Sequence, residues 1–134
     1  MDPIVGFLAA AVRIATPLGW AALGEVIAER SGVINLAIEG AMLAGALAAA
    51  LGAAEWGSPW AGVALAMIVG AVVAGLFAAI AIGGRTDQII AGTAVTLGSI
   101  GASGIIYRQA LASGAEPAIP TLEPVAVPGL ASVP

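Results

Sequence analysis

The chain has 134 residues, of which 60% are hydrophobic and 9% charged, with a formal net charge of −4. A soluble domain carries about 25% charged residues, so these few charges cannot cover a water-facing surface, and the composition is that of an integral membrane protein. All four basic residues are Arg, and His and Cys are absent, which excludes a basic nucleic-acid surface, thiolate metal sites, disulfides and His- or Cys-based nucleophilic triads within the chain.

Four apolar segments follow one another. The first, over about 3–28, contains Arg13, Thr16 and Pro17. It is not a secretory signal, because it opens on the acidic "MDPIVG" and its apolar run is too long. The stretch "ERSGVINLAIEG" (29–40) then interrupts the apolar pattern. Ser31-Gly32 breaks the first helix there, and a second begins near Asn35 or Leu36. That start sets Asn35 and Glu39 four apart on one face, with Glu39 near the helix N-terminus, where free N–H groups favour negative charge. The second segment (36–54) is marginal against the ~20 apolar residues that a crossing needs. It is therefore expected to be broken or re-entrant, a geometry tolerated at depth only beside protein or a water-filled path. An ordinary interfacial turn, with Arg30 paired to Glu25 or Glu29, is the simpler alternative.

"EWGSPW" (55–60) reads as a tight hairpin with Trp56 and Trp60 at the membrane interface. The third segment has no charge from 56 to 84, and "GGRTDQ" (83–88) connects it to the fourth, over about 88–107. Thr86 or Asp87 is expected to cap the fourth helix. Small residues recur at i+4 as Gly62, Ala66, Gly70 and Ala74, and as Ala94, Gly98 and Ala102. Both rows are candidate docking ridges, since small residues let helices approach closely in lipid. The last stretch holds Pro117, Pro120, Pro124, Pro128 and Pro134, a spacing that forbids a helix. The expected architecture is an all-α, polytopic transmembrane bundle over 1–111, with a Pro-rich extramembrane loop or tail over 112–134. With four spans, Arg30 and Arg85 share one side, cytoplasmic by the positive-inside rule.

The polar residues that such helices expose to a solute are Asn35, Glu39, Gln88, Thr93 and Thr96. An amide, a carboxylate and hydroxyls match the donors and acceptors of a sugar or base. The threonines have a competing fate, back-bonding to their own helix carbonyls. Glu25, Glu29 and Arg30 are expected to form structural ion pairs at the cytoplasmic edge. Arg13 either snorkels outward or pairs with a carboxylate elsewhere.

The run "TPLGWAALGEVIAERSGVINLAIEGAMLAGALAA" (16–49) resembles the N-terminal half of ABC-importer permeases of the branched-chain amino acid, ribose and nucleoside type. It is most similar to the nucleoside or simple-sugar subgroup. Glu25, Glu29, Arg30, Ser31, Gly32, Val33, Asn35, Glu39, Gly40 and Met42 carry the likeness. "GSPWAG" (57–62) and "RTDQIIAGTAVTLGSIGASGIIYR" (85–108) extend it, with Thr96 where many members have Asn. The resemblance implies a permease subunit of the cytoplasmic membrane that moves nucleosides or related simple sugars. Its partners would be cytoplasmic ATPase subunits, a second permease subunit and an external substrate-binding lipoprotein. It also implies a chain about twice this length, so a fragment or split subunit is expected.

With no Lys there is no phosphate-cradling loop. ATP would be used by the partner subunits, and no cofactor or metal is expected in this chain. Nor is an enzyme expected, for want of a catalytic constellation. Two other readings stay open: a complete small four-helix proton-coupled transporter titrating Glu39, and a purely structural subunit of a larger complex.

Overall fold

The computed structural model describes residues 3–111 and 119–123. Most of the expected Pro-rich tail, including Pro117, Pro124, Pro128 and Pro134, lies outside the described residues. Four helices follow in order: α1 (Pro3–Arg30), α2 (Ile38–Trp56), α3 (Pro59–Ala78) and α4 (Gln88–Leu111). A five-residue π turn, Ala79–Gly83, continues α3. No strand occurs among the described residues. The helices, α3 taken with its π turn, are all long and apolar enough to cross a membrane. The chain is a multi-pass, all-α membrane protein.

Local chemistry sets the boundaries. α1 ends where the N–H groups of Ser31 and Gly32 fold back onto the carbonyls of Ala28 and Glu29, and Gly32 takes a left-handed φ of 81°. α2 starts at Ile38, later than the sequence suggests. Asn35 therefore precedes the helix and shares no helical face with Glu39. Its Oδ1 accepts the N–H of Ala37 at 3.1 Å, a local side-chain bond that competes with helix formation. The interruption falls in residues 31–37, and from Ile38 the helix runs unbroken for 19 residues. At the hairpin, Gly57 ends α2 in the left-handed region and Pro59 opens α3. Trp56 and Trp60 flank the turn and are exposed. Asp87 caps α4, its Oδ1 accepting the N–H groups of Ile89 at 2.9 Å and Ile90 at 3.1 Å. Thr86 turns its hydroxyl back to the Ile80 carbonyl instead.

Glycine sets how closely the helices pack. A Cβ on Gly62 would lie 2.5 Å from the Ala49 carbonyl oxygen, and one on Gly52 would lie 3.3 Å from the Gly62 Cα. So α2 and α3 meet backbone to backbone, as small residues permit in lipid. Of the expected α3 ridge, Gly62 and Ala66 reach α2, whereas Gly70 has no neighbour within 4 Å and Ala74 is exposed. The expected α4 ridge does not dock: Ala94 and Ala102 are exposed, and Gly98 has open space before it. α4 turns Gly92, Thr96 and Ser99 inward instead. A Cβ on Gly92 would lie 2.7 Å from the Cβ of Leu36, and one on Gly40 would lie 2.8 Å from the Thr96 Cα.

The apolar core gathers Ala37, Phe77, Ala81, Ala91 and Val95, at the end of the bundle where residues 31–37 run. Ala37 is 1% exposed, so a residue of the interruption sits at its centre. α1 buries none of its residues. Its Pro17 removes the N–H that would bond the carbonyl of Arg13. Thr16 Oγ1 donates to the Val12 carbonyl at 2.7 Å.

Candidate functional site

The site is built on residues 31–37, a strap of non-helical backbone. Such backbone carries N–H and C=O groups without helix partners, each costing several kcal/mol if left unpaired in hydrocarbon. Side chains from α1 and α4 supply the partners. Gln88 Oε1 accepts the N–H of Ile34 at 2.8 Å, and Gln88 Nε2 donates to the Gly32 carbonyl at 3.4 Å. Glu25 Oε1 accepts the N–H of Asn35 at 2.8 Å. Thr96 Oγ1 donates to the Leu36 carbonyl at 2.9 Å. The strap is thus bonded along its length to two helices.

These bonds also set its depth. Gln88 holds the start of the strap and Thr96 holds its end. Eight residues of helix separate them, a rise of about 12 Å. The chain has climbed that distance beside α4 before α2 begins. The first turn of α2, with its unbonded N–H groups and Glu39, therefore lies alongside the third turn of α4 rather than at the helix ends. A Cβ at Gly92 or Gly40 would obstruct this approach.

Leu36, Ile38, Glu39, Thr93, Thr96 and Leu97 line a cavity of about 270 Å³ at that level. Three of the five sequence-predicted pathway residues meet here: Glu39, Thr93 and Thr96. Both hydroxyl hydrogens point away from the cavity, since Thr93 Oγ1 donates to the Ile89 carbonyl at 2.7 Å and Thr96 Oγ1 to Leu36. Each hydroxyl oxygen keeps a lone pair. Together with the Glu39 carboxylate, the wall is rich in acceptors, which suits a ligand bearing O–H or N–H donors.

Of the other two predicted pathway residues, Asn35 lies in the strap and Gln88 supports it from α4. Glu25 supports it from α1, and its described partner is the Asn35 backbone rather than a guanidinium. Its second oxygen, Oε2, is buried without a partner. Glu29 and Arg30 are exposed at the end of α1, and Arg13 is exposed within it. The sequence reading missed Gly92, whose signal is a lone Gly inside "IIAGTAVT", where a close backbone approach is one standard explanation. Among the described residues, no three metal-ligating side chains come together.

A family model described as the branched-chain amino acid transport system / permease component matches residues 7–120, which take in the strap, the cavity and nearly all of the helices. The chain belongs to this permease family. Among relatives of this permease, a putative glucose ABC transporter permease protein, TsgC13 of Haloferax volcanii, is 41% identical over 97 residues, covering 72% of this chain and 30% of the relative. The guanosine ABC transporter permease protein NupQ of Bacillus subtilis is 35% identical over 129 residues, covering 90% of this chain and 40% of the relative. The nucleoside ABC transporter permease protein NupC of Lactococcus lactis is 33% identical over 88 residues, 61% of this chain and 28% of the relative. The permease chain thus spans well under half the length of these relatives. No solved structure matches it.

Proposed function

We propose that this chain is membrane-spanning permease material of an ATP-driven importer for nucleosides or related simple sugars. One observation carries the reading. A strap bonded to α1 and α4 sets Glu39, Thr93 and Thr96 around one acceptor-rich cavity at depth. Nucleosides and sugars are neutral and carry several O–H or N–H donors, which is what such a wall recognises. The relatives named for guanosine, nucleosides and glucose point to the same solute class.

On this reading the chain performs no covalent chemistry. It has no Lys, so the ATP site belongs to cytoplasmic ATPase subunits. A second permease subunit closes the route, and an external substrate-binding lipoprotein delivers the solute. Glu39, Thr93 and Thr96 meet the solute, while Asn35, Gln88 and Glu25 hold the strap. Arg30 and Arg85 face the cytoplasm.

The test is Glu39→Gln in cells that express the chain with its transport partners. Replacing a charged acceptor by a neutral one weakens a hydrogen bond by about 1.4 kcal/mol, a factor of about ten. Uptake of tritiated guanosine at sub-saturating concentration is expected to fall by that factor, with the amount of protein in the membrane unchanged. Uptake equal to the parent chain would remove Glu39 from the route. A proton-coupled transporter titrating Glu39 predicts uptake that survives loss of the ATPase subunits, whereas the importer predicts none.

A further inference from the structure

The inner cavity has a continuation. On the same side of the α2–α4 contact, Leu43, Leu47, Ile100, Ser103, Gly104 and Tyr107 line a second cavity of about 320 Å³. Its α2 residues follow Glu39 at +4 and +8. Its α4 residues follow Thr96 at +4, +7, +8 and +11. Such steps keep one helical face, so the two cavities are consecutive stretches of one groove. Between Thr93 and Tyr107 the groove runs 14 residues of α4, about 21 Å, or some two-thirds of a ~30 Å hydrocarbon core.

The hydroxyls along it set it apart from a lipid-filled furrow. Ser103 is 7% exposed. Serine in a membrane helix ordinarily returns its hydroxyl to the carbonyl four residues back, as Thr93 and Thr16 do here with theirs. Ser103 makes no such bond, and its hydroxyl has no partner among the described residues, although it lies against the cavity. Its oxygen opens onto the groove, so it is free to exchange a hydrogen bond with a ligand bearing its own hydroxyls. Tyr107, one turn further along, adds a phenol at the mouth of the groove. Unlike the inner cavity, this stretch contains no charged group.

We propose that the solute route continues past Thr96 along α4 to a second, outer station at Ser103 and Tyr107, one that takes a neutral hydroxylated solute. This rests on reading the inner cavity as a solute site. The apolar wall from Leu43, Leu47 and Ile100 suits the ring faces of such a solute, and the two hydroxyls suit its edge. With no carboxylate to hold it, the solute would pass quickly between this station and the inner one.

The chain has no Cys, so single-cysteine variants report one position each. Thr96→Cys, Ser103→Cys and Ile100→Cys are compared with Ala71→Cys, an exposed position on α3. Each is expressed with the transport partners and treated with a water-soluble cationic methanethiosulfonate, and the mass of this chain is read. Only the thiolate reacts, and apolar surroundings raise a thiol's pKa, each unit costing a factor of ten in thiolate. Water in the route therefore makes Thr96→Cys and Ser103→Cys react about tenfold or more faster than Ala71→Cys, and added guanosine slows both.

If Thr96→Cys reacts but neither Ser103→Cys nor Ile100→Cys exceeds Ala71→Cys, the outer station is refuted while the inner site stands. Labelling of Ser103→Cys and Ile100→Cys by a lipid-soluble maleimide alone refutes it too, and makes the groove a bed for acyl chains. If neither Thr96→Cys nor Ser103→Cys reacts, both readings fall together. Ile100→Cys keeps the test decisive should Ser103→Cys fail to assemble.

Discussion

At the scale of single residues, the site depends as much on missing side chains as on those present. Gly40 follows Glu39 in the first turn of α2 and lets the Thr96 backbone come into contact. Gly40→Ala would place a methyl 2.8 Å from the Thr96 Cα, with the Ser99 side chain at 3.1 Å. Backbone cannot swing aside as a side-chain tip can, so α2 and α4 must separate. Overpacking of this kind costs about 1–3 kcal/mol. Thermal unfolding in detergent is expected to shift downward for Gly40→Ala. Gly70→Ala, which meets open space, is expected to leave it unchanged. Thr96 illustrates a different economy. Its hydroxyl holds the strap with its hydrogen and offers the cavity a lone pair, so it both positions and recognises. Thr96→Val would remove both functions, whereas Thr96→Ser would keep both.

At the scale of elements, the strap is held by side chains that act as substitutes for a helix or sheet. Gln88 is its most economical support, since one amide serves both a donor and an acceptor of the strap backbone. Gln88→Leu removes both bonds at nearly constant volume. Each is worth about 1 kcal/mol, and the loss is local. Hydrogen exchange, read by mass spectrometry on peptides covering 31–37, is expected to speed up by about thirtyfold, with peptides from the α2–α3 contact unaffected. Much at this scale was legible in the sequence. Length and hydropathy marked four spans, Ser31-Gly32 marked the end of the first, and Thr86-Asp87 announced the α4 cap without deciding between its two residues. The start of α2 was not legible, because Asn35 reads equally as a first-turn residue and as a turn former. Only its bond to Ala37 decides between them. Nor was the docking face of α4. In a chain this rich in Ala and Gly, rows of small residues occur on every face and carry little contrast. The face chosen is the one where Gly92 receives the strap, a contact 56 residues away in sequence. Of the site, Glu39, Thr93 and Thr96 were legible as polar candidates by residue type, whereas their meeting at one cavity required the fold. So did the diversion of Asn35 into the strap and of Gln88 to its support.

At the scale of the whole molecule, α2, α3 and α4 pack together while α1 stands apart with no buried residue. Glu25, bonded to Asn35, is its main polar tie to the rest. An apolar helix with Trp20, Phe7 and Ile27 turned outward is stable in lipid without further cover. The strap ties the Arg30 end of α1 to the Gln88 end of α4, so Arg30 and Arg85 belong to one face of the membrane. The Trp56–Trp60 hairpin belongs to the other. In the proposed orientation, which the positive-inside rule supports, the Arg face is cytoplasmic. In intact cells, Ser58→Cys is expected to react with a membrane-impermeant maleimide, and Arg85→Cys only after the membrane is opened. The reverse pattern would invert the proposed direction of the groove.

Beyond Phe77 the backbone of α3 loosens into a π turn, which takes in about one residue more than an α-turn does. A helix that has absorbed an inserted residue instead of breaking has this form. Its length is therefore the part of this bundle freest to vary. A deletion of one residue between Ile82 and Gly84 would tighten the coil to ordinary pitch without touching Phe77, Ala81 or the Asp87 cap. Aligned kin are accordingly expected to gain or lose a position there, and nowhere within the strap.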